Sequence, residues 1–112
     1  MDLSFGSARL QRNLSDESRI RRYYGQLAPA LRIRLSVLAR AKRLSDIPTG
    51  PPDRCHQLTN NRDEQFAVKL SPNERLVFRV ANDPIPRLPD GGIDRDAVTA
   101  IEINEIVDYH DS

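Results

Sequence analysis

Apolar residues recur along this chain with two different periods, and the period changes near its middle. Leu3 and Phe5 alternate with Ser4, which predicts a short first strand ahead of the polar Gly6-Ser7 step. Helical spacing follows. Leu10 and Leu14 stand four apart, and Ser15-Asp16-Glu17-Ser18 supplies an N-cap with two acids in the first turn. A helix is therefore expected to begin or restart at Ser15 and to run through Ile20, Tyr23 and Tyr24 as far as Gly25. Ala28-Pro29 opens a second helix, because the missing N–H of proline costs nothing in a first turn. In that helix Leu27, Leu31, Leu35 and Leu38 form an apolar stripe, with Arg32, Arg34, Arg40, Lys42 and Arg43 mostly off it. The expectation is an αα-hairpin with one apolar face and a largely cationic remainder.

Ile47-Pro48-Thr49-Gly50-Pro51-Pro52 is a break that no helix crosses, and the period beyond it is two. Gln65–Leu70 and Arg75–Val80 are alternating runs separated by Ser71-Pro72-Asn73-Glu74, which reads as an antiparallel hairpin. Leu76, Phe78 and Val80 share one face of the second run, while Arg75, Val77 and Arg79 share the other. Residues Ala81 to Ala97 hold three prolines, two glycines and four aspartates, the composition of a surface loop or mobile flap. Val98–Val107 then reads as a last strand with Glu102 and Glu105 facing water. The order β-α-α-β-β-β predicts an α+β fold, an N-terminal helical hairpin packed on a small, mainly antiparallel sheet.

Length and composition narrow the picture. At 112 residues the chain suits one domain spanning 1–112, and 38% apolar against 29% charged residues imply a thin core under a charged surface. No run approaches the ~18 consecutive apolar residues of a spanning helix, and Met1-Asp2-Leu3-Ser4-Phe5 lacks the basic-then-apolar layout of a secretory signal. The lone Cys55 cannot form an internal disulfide, in keeping with a reducing compartment, so a cytoplasmic protein away from membranes is expected. The net charge of +1 conceals a strong segregation: residues 1–79 carry 15 basic against 8 acidic side chains, and residues 80–112 carry 2 against 8. Arginine dominates the basic part, and its planar fork suits phosphate, although a solvated face or an acidic protein partner accounts for such charge equally well.

Phe5-Gly6-Ser7-Ala8-Arg9-Leu10, the arginine-rich hairpin, Cys55-His56-Gln57-Leu58, the strands Gln65–Val68 and Arg75–Phe78, and the ending Glu105-Ile106-Val107-Asp108-Tyr109-His110 follow one another in a telling order. Together they resemble the HigB branch of the RelE/ParE toxin superfamily. The resemblance covers nearly the whole chain and implies a RelE-like fold. It further implies a toxin that cleaves messenger RNA, usually on the ribosome, and that is held inactive in a hetero-oligomer with a helix-turn-helix antitoxin encoded beside it. By the same resemblance His56, Asp108, Tyr109 and His110 form the catalytic cluster, and Arg75 and Arg79 face the RNA. Two positions depart from the pattern: Thr59 stands where lysine is common, and Glu64 where glycine precedes the aromatic. The first removes a positive charge and the second adds a negative one.

These residue types suit metal-free RNA cleavage, which needs no cofactor. The RNA 2′-OH attacks its own phosphate, and an enzyme supplies a base at that hydroxyl, an acid at the departing 5′-oxygen and positive charge at the phosphoryl oxygens. Imidazole exchanges protons near neutrality, and this chain has only His56 and His110; which is base and which is acid is left open. Asp108 is expected to orient an imidazole, Tyr109 to contact phosphate or stack on a base, and Arg75 or Arg79 to neutralise developing charge. Two histidines and one cysteine make a poor zinc set, and a lone cysteine is more often a small buried hydrophobe than a nucleophile. Two other functions remain compatible with the same scaffold: a ParE-like DNA gyrase inhibitor without nuclease activity, and a catalytically weak RNA-binding relative.

Overall fold

The structure, a computed structural model, describes residues 1–59 and 64–108. Strand β1 (Asp2–Phe5) leads through Gly6 into α1 (Ala8–Asn13), whose N-cap Ser7 accepts the Leu10 N–H at 3.1 Å. The Ser15 hydroxyl donates back to the Arg12 carbonyl at 2.8 Å, an alternative to the next helical bond that helps end α1. Asp16 then caps α2 (Glu17–Tyr24) by accepting the Arg19 N–H at 2.8 Å, so the expected restart occurs one residue later than Ser15. Gly25, at φ +51°, closes α2 in a conformation that glycine adopts without strain. A 3-10 turn over Gly25–Leu27 feeds α3 (Ala28–Arg40), with Pro29 in its first turn.

The buried face of α3 consists of Ala28, Leu31, Arg34 and Leu38, spaced three, three and four apart. Arg34 is therefore on the buried stripe, not off it as the leucine spacing suggests, and Leu35 is only half-buried. A helical face is wide enough for either i+3 or i+4 to point inward, and the aliphatic stem of arginine packs where its head finds partners.

Beyond the turn-rich break come β2 (His56–Gln57), β3 (Gln65–Lys69), β4 (Glu74–Val80) and β5 (Ala100–Asp108). They form one sheet with β1 in the order β1-β5-β4-β3-β2. Only β1 and β5 are parallel, which the long stretch of helices and strands between them allows; the other pairs are antiparallel. Phe66, Val68, Leu76, Phe78, Val80, Ile101 and Ile103 present one face of this sheet to Leu14, Ile20, Leu31 and Leu38 of the helical layer. Phe66 and Phe78 are directly opposed across β3 and β4, with ring centroids 5.8 Å apart. The other face holds a smaller apolar cluster of Leu58, Ala67 and Val77 with Val107 beside it.

Val77 lies opposite Glu105 and Phe78 opposite Ile103, so Asn104 is an extra residue that bulges β5. The 81–97 segment is irregular as expected, but it is anchored more firmly than a flap. Ile93 and the neighbouring Val98 enter the core, Arg87 and Ile93 form a β-bridge, and the Arg95 guanidinium lies 5.1 Å from the Phe66 ring centroid. Among the described residues no helix is long and apolar enough to cross a membrane.

Candidate active site

Residues directly opposite one another in a sheet project from the same face. His56 is opposite Ala67, which is opposite Val77, so the imidazole is on the face turned away from the helices. One step along, Lys69 is opposite Arg75 and Arg75 opposite Val107, which sets two cations on the same face. His56, Arg75, Arg54 and Thr49 line one cleft of about 280 Å³.

The backbone before β2 fixes the imidazole. His56 Nδ1 lies 3.1 Å from the Arg54 carbonyl oxygen. A carbonyl only accepts, so in the neutral ring Nδ1 carries the proton and Nε2 keeps its lone pair. Arg54 itself has φ +49°, a left-handed conformation that costs a non-glycine residue roughly 1–2 kcal/mol. It is held there by its N–H to the Gly50 carbonyl at 2.9 Å and by the Cys55 N–H to the Pro48 carbonyl at 3.0 Å. Strain of this kind collects at functional sites. On β4, with β3 between it and β2, Arg75 Nη1 donates to the carbonyls of Ser71 at 2.8 Å and Glu74 at 3.0 Å. Among the described residues this leaves Nη2 of the same fork for a ligand.

Two of the other expected site residues, Arg79 and Asp108, separate from this cleft. Arg79 shares the face of Arg75 but is four residues, about 13 Å, further along β4. Its Nε lies 3.3 Å from Asn104 Oδ1 and 4.0 Å from Glu102 Oε1, and it lines a different cleft with Glu64, Gln65, Val80 and Ile85. Asp108 pairs in register with Glu74, one residue beyond Val107, and strand alternation turns it toward the opposite face from His56. Tyr109 and His110 lie outside the described residues.

Three nearby groups clarify the chemistry. Cys55 is buried, and burial pushes its thiol from 9.0 to about 11 against the opposing pull of Arg95, so it stays protonated at neutral pH and is not a thiolate nucleophile. Glu64 has φ +67°, a left-handed conformation that glycine adopts more readily than any other residue. Its added negative charge is met by Arg87, whose Nη1 and Nη2 reach the two carboxylate oxygens at 2.5 and 3.0 Å. Those hydrogen bonds hold the Glu64 carboxyl below the usual carboxylate range. Thr59 is exposed just after β2 and supplies no charge to the cleft.

Arg54 was not among the residues expected at the site. It belongs to no motif; its one legible signal is an arginine two positions before a histidine at the end of a proline-rich turn. Its left-handed backbone is a property of the folded loop alone.

No protein-family model and no curated protein matches the sequence. Among solved structures the chain is similar to a YoeB/ParE toxin from Agrobacterium tumefaciens, with a TM-score of 0.57 over 98% of this chain and 100% of that one. The two have this fold in common. At 11% identity the likeness is one of architecture: a helical layer on one face of a five-strand mixed sheet. In this chain the opposite face of that sheet carries the His56 cleft.

Proposed function

We propose that the chain is the toxin of a toxin–antitoxin pair and acts as a metal-independent endoribonuclease on messenger RNA, with the ribosome presenting the substrate. The observation that carries this reading is His56 in one cleft with Arg54 and Arg75, its Nδ1 3.1 Å from the Arg54 carbonyl oxygen. Inhibition of another protein by surface contact has no use for an imidazole whose Nε2 lone pair is held ready beside two guanidinium groups.

In this mechanism His56 Nε2 takes the proton of the RNA 2′-OH as its oxygen attacks the neighbouring phosphorus. Arg75 and Arg54 carry the phosphoryl oxygens, whose negative charge grows as the fifth bond forms. The bond from phosphorus to the 5′-oxygen then breaks, and that oxygen takes a proton from His110, the other imidazole of the chain. Tyr109 contacts the phosphate or an adjacent base. Asp108 is assigned to orienting the His110 imidazole rather than that of His56, from whose face strand alternation turns it. The products are a 2′,3′-cyclic phosphate and a 5′-hydroxyl. Arg79 contributes to the outer track of the RNA. A helix-turn-helix antitoxin completes the system as the partner that silences this face.

The test is cleavage of a defined messenger RNA by the purified chain, with and without ribosomes, beside His56→Ala and His110→Ala. General acid–base groups contribute ~10²–10⁴-fold, so either variant should lose nearly all cleavage while keeping its circular dichroism spectrum. Products bearing 5′-phosphate overturn the mechanism. Growth arrest without any RNA cleavage, retained in the His56→Ala variant, overturns the nuclease reading in favour of a gyrase-type inhibitor.

A further inference from the structure

Arg34 and Asp53 are the buried charged residues among those described, with 8% and 5% of their surfaces exposed. Arg34 Nε lies 3.6 Å from Asp53 Oδ1. The same Nε donates to the Lys69 carbonyl at 2.8 Å, and Nη2 is 3.4 Å from the Pro52 carbonyl. One guanidinium on α3 therefore touches the end of β3 and two successive residues of the loop that precedes His56. The loop is also stitched to β3 through its backbone, where the Lys69 N–H donates to the Asp53 carbonyl at 2.8 Å.

Stability alone gives this pair no clear purpose. Removing two charges from water costs several kcal/mol per ion, and well-packed apolar side chains of similar volume often serve a core as well or better. Asp53 Oδ1 faces the guanidinium without a hydrogen bond of its own, so the aspartate end is incompletely compensated. What apolar replacements lack is direction. Arg34 fixes two carbonyls and one carboxylate around a rigid fork, and the residue directly after Asp53 is Arg54, the one whose carbonyl receives His56 Nδ1.

We propose that the buried Arg34–Asp53 pair is a positioning device: it ties α3 and β3 to the loop so that the Arg54 carbonyl selects the Nδ1–H tautomer of His56 and the Arg54 side chain stays beside Arg75. Arg34 and Asp53 touch no substrate and act through Arg54 and His56. The catalytic consequence rests on the nuclease reading above; the structural claim about the imidazole does not.

The experiment separates the two. Imidazole tautomers differ in the ¹⁵N shifts of their ring nitrogens, read by long-range ¹H–¹⁵N correlation well above the ordinary histidine pKa of about 6.5. The full-length chain should show His56, identified by its absence from the His56→Ala spectrum, as the Nδ1–H form. The double variant Arg34→Met with Asp53→Leu removes both charges together, so it leaves no ion unpaired in the core. It should melt within a few degrees of the parent, yet its His56 signals should move toward a mixture of tautomers. Its cleavage kcat should fall roughly 10–100-fold with KM nearly unchanged, the scale expected when a reacting group is slightly misplaced. Asp53→Asn, which keeps the shape and drops one charge, should shift the tautomer in the same direction.

A folded double variant whose His56 remains fully in the Nδ1–H form overturns the proposal. So does loss of the fold in both variants, which makes the pair a determinant of folding. A parent chain that cleaves no RNA removes the nuclease reading and leaves the tautomer result standing by itself.

Discussion

Arg87 grips Glu64 with both nitrogens of its fork, Nη1 on Oε2 at 2.5 Å and Nη2 on Oε1 at 3.0 Å, joining the approach to β3 to the 81–97 segment. The same arginine reaches the Gly91 carbonyl at 3.1 Å, so one side chain closes its own loop as well. Glu64 meanwhile sits at φ +67°, where an L side chain is strained. Two opposing effects meet at this residue, and substitutions separate them. Glu64→Ala keeps the strain and loses the ion pair; Glu64→Gly loses both. The glycine variant should therefore melt at a higher temperature than the alanine variant, and thermal denaturation of the two that gives the reverse order counts against a strained Glu64.

The ion pair also predicts a pH window. Arg87 lowers the folded-state pKa of Glu64, so the unfolded chain binds the proton more readily than the folded one. The pair's contribution is then complete above the ordinary carboxylate pKa of about 4.3 and is lost as pH falls through the lowered folded value. Arg87→Gln should be less stable than the parent near neutrality, and the two urea-unfolding curves should converge as the pH is taken below about 4. A difference that persists unchanged in acid would mean that Arg87 acts through Gly91 rather than through Glu64.

Cys55 gives a window at the other end of the scale. Its folded pKa is about 11 against an ordinary 9.0, so above pH 9 the unfolded chain releases the thiol proton while the folded chain retains it. The folded state then binds more protons, and stability falls as pH rises from 9 toward 11, by roughly 2 kcal/mol at most. Cys55→Ala should flatten that part of the stability profile relative to the parent and leave RNA cleavage within about threefold. Rapid alkylation of native Cys55 by iodoacetamide at neutral pH would contradict its burial and its protonated state.

The sequence made the scaffold legible because its signals are local. The helix restart at Ser15-Asp16, Gly25 as a helix stop, Pro29 in a first turn and the alternation through Leu76, Phe78 and Val80 each act within one turn or one strand, and the restart is one residue later than its signal. Less was legible where partners are distant in sequence. The leucine spacing puts Leu35 on the apolar stripe of α3 and Arg34 off it, but the spacing of Arg34 from Leu31 and Leu38 fits the buried face as well, and only Asp53, nineteen positions on, decides between them. The 81–97 segment looked detached because its prolines, glycines and aspartates hide Ile93, whose burial depends on the core built by distant strands. His56 and Arg75 were expected together and share a cleft, whereas Arg54 was invisible because a left-handed backbone between Asp53 and Cys55 leaves no trace in composition. Asp108 stands one residue past Val107, so alternation along β5 turns it from the face of His56, a relation that depends on the register of β5 against β4.

The two strand arginines should behave differently. Arg75 borders the His56 cleft, while Arg79 is engaged with Glu102 and Asn104 about 13 Å away. Arg75→Ala should lower cleavage roughly 10–100-fold without moving the pH optimum, because a guanidinium does not titrate near neutrality. Arg79→Ala should cost no more than about threefold in rate and should chiefly reduce the salt dependence of RNA binding. Equal losses from the two variants would place the scissile phosphate midway along β4 and away from His56.

Arg54 offers a test in which stability and activity move in opposite directions. Its φ of +49° carries a conformational penalty that glycine escapes, while glycine adds freedom to the unfolded chain, so Arg54→Gly should stabilise the fold by a net ~0.5 kcal/mol. The Arg54 carbonyl is a backbone group and remains in place, so the His56 tautomer should be unchanged in this variant. Only the guanidinium is lost from the cleft beside Arg75, and with it part of the charge that meets the phosphoryl oxygens. Cleavage should therefore drop roughly 10-fold or more while the melting temperature rises slightly, and Arg54→Lys, which restores charge but not the fork, should recover only part of the rate. A variant that gains stability and cleaves as fast as the parent would remove Arg54 from the site and leave its left-handed backbone as a feature of the loop alone.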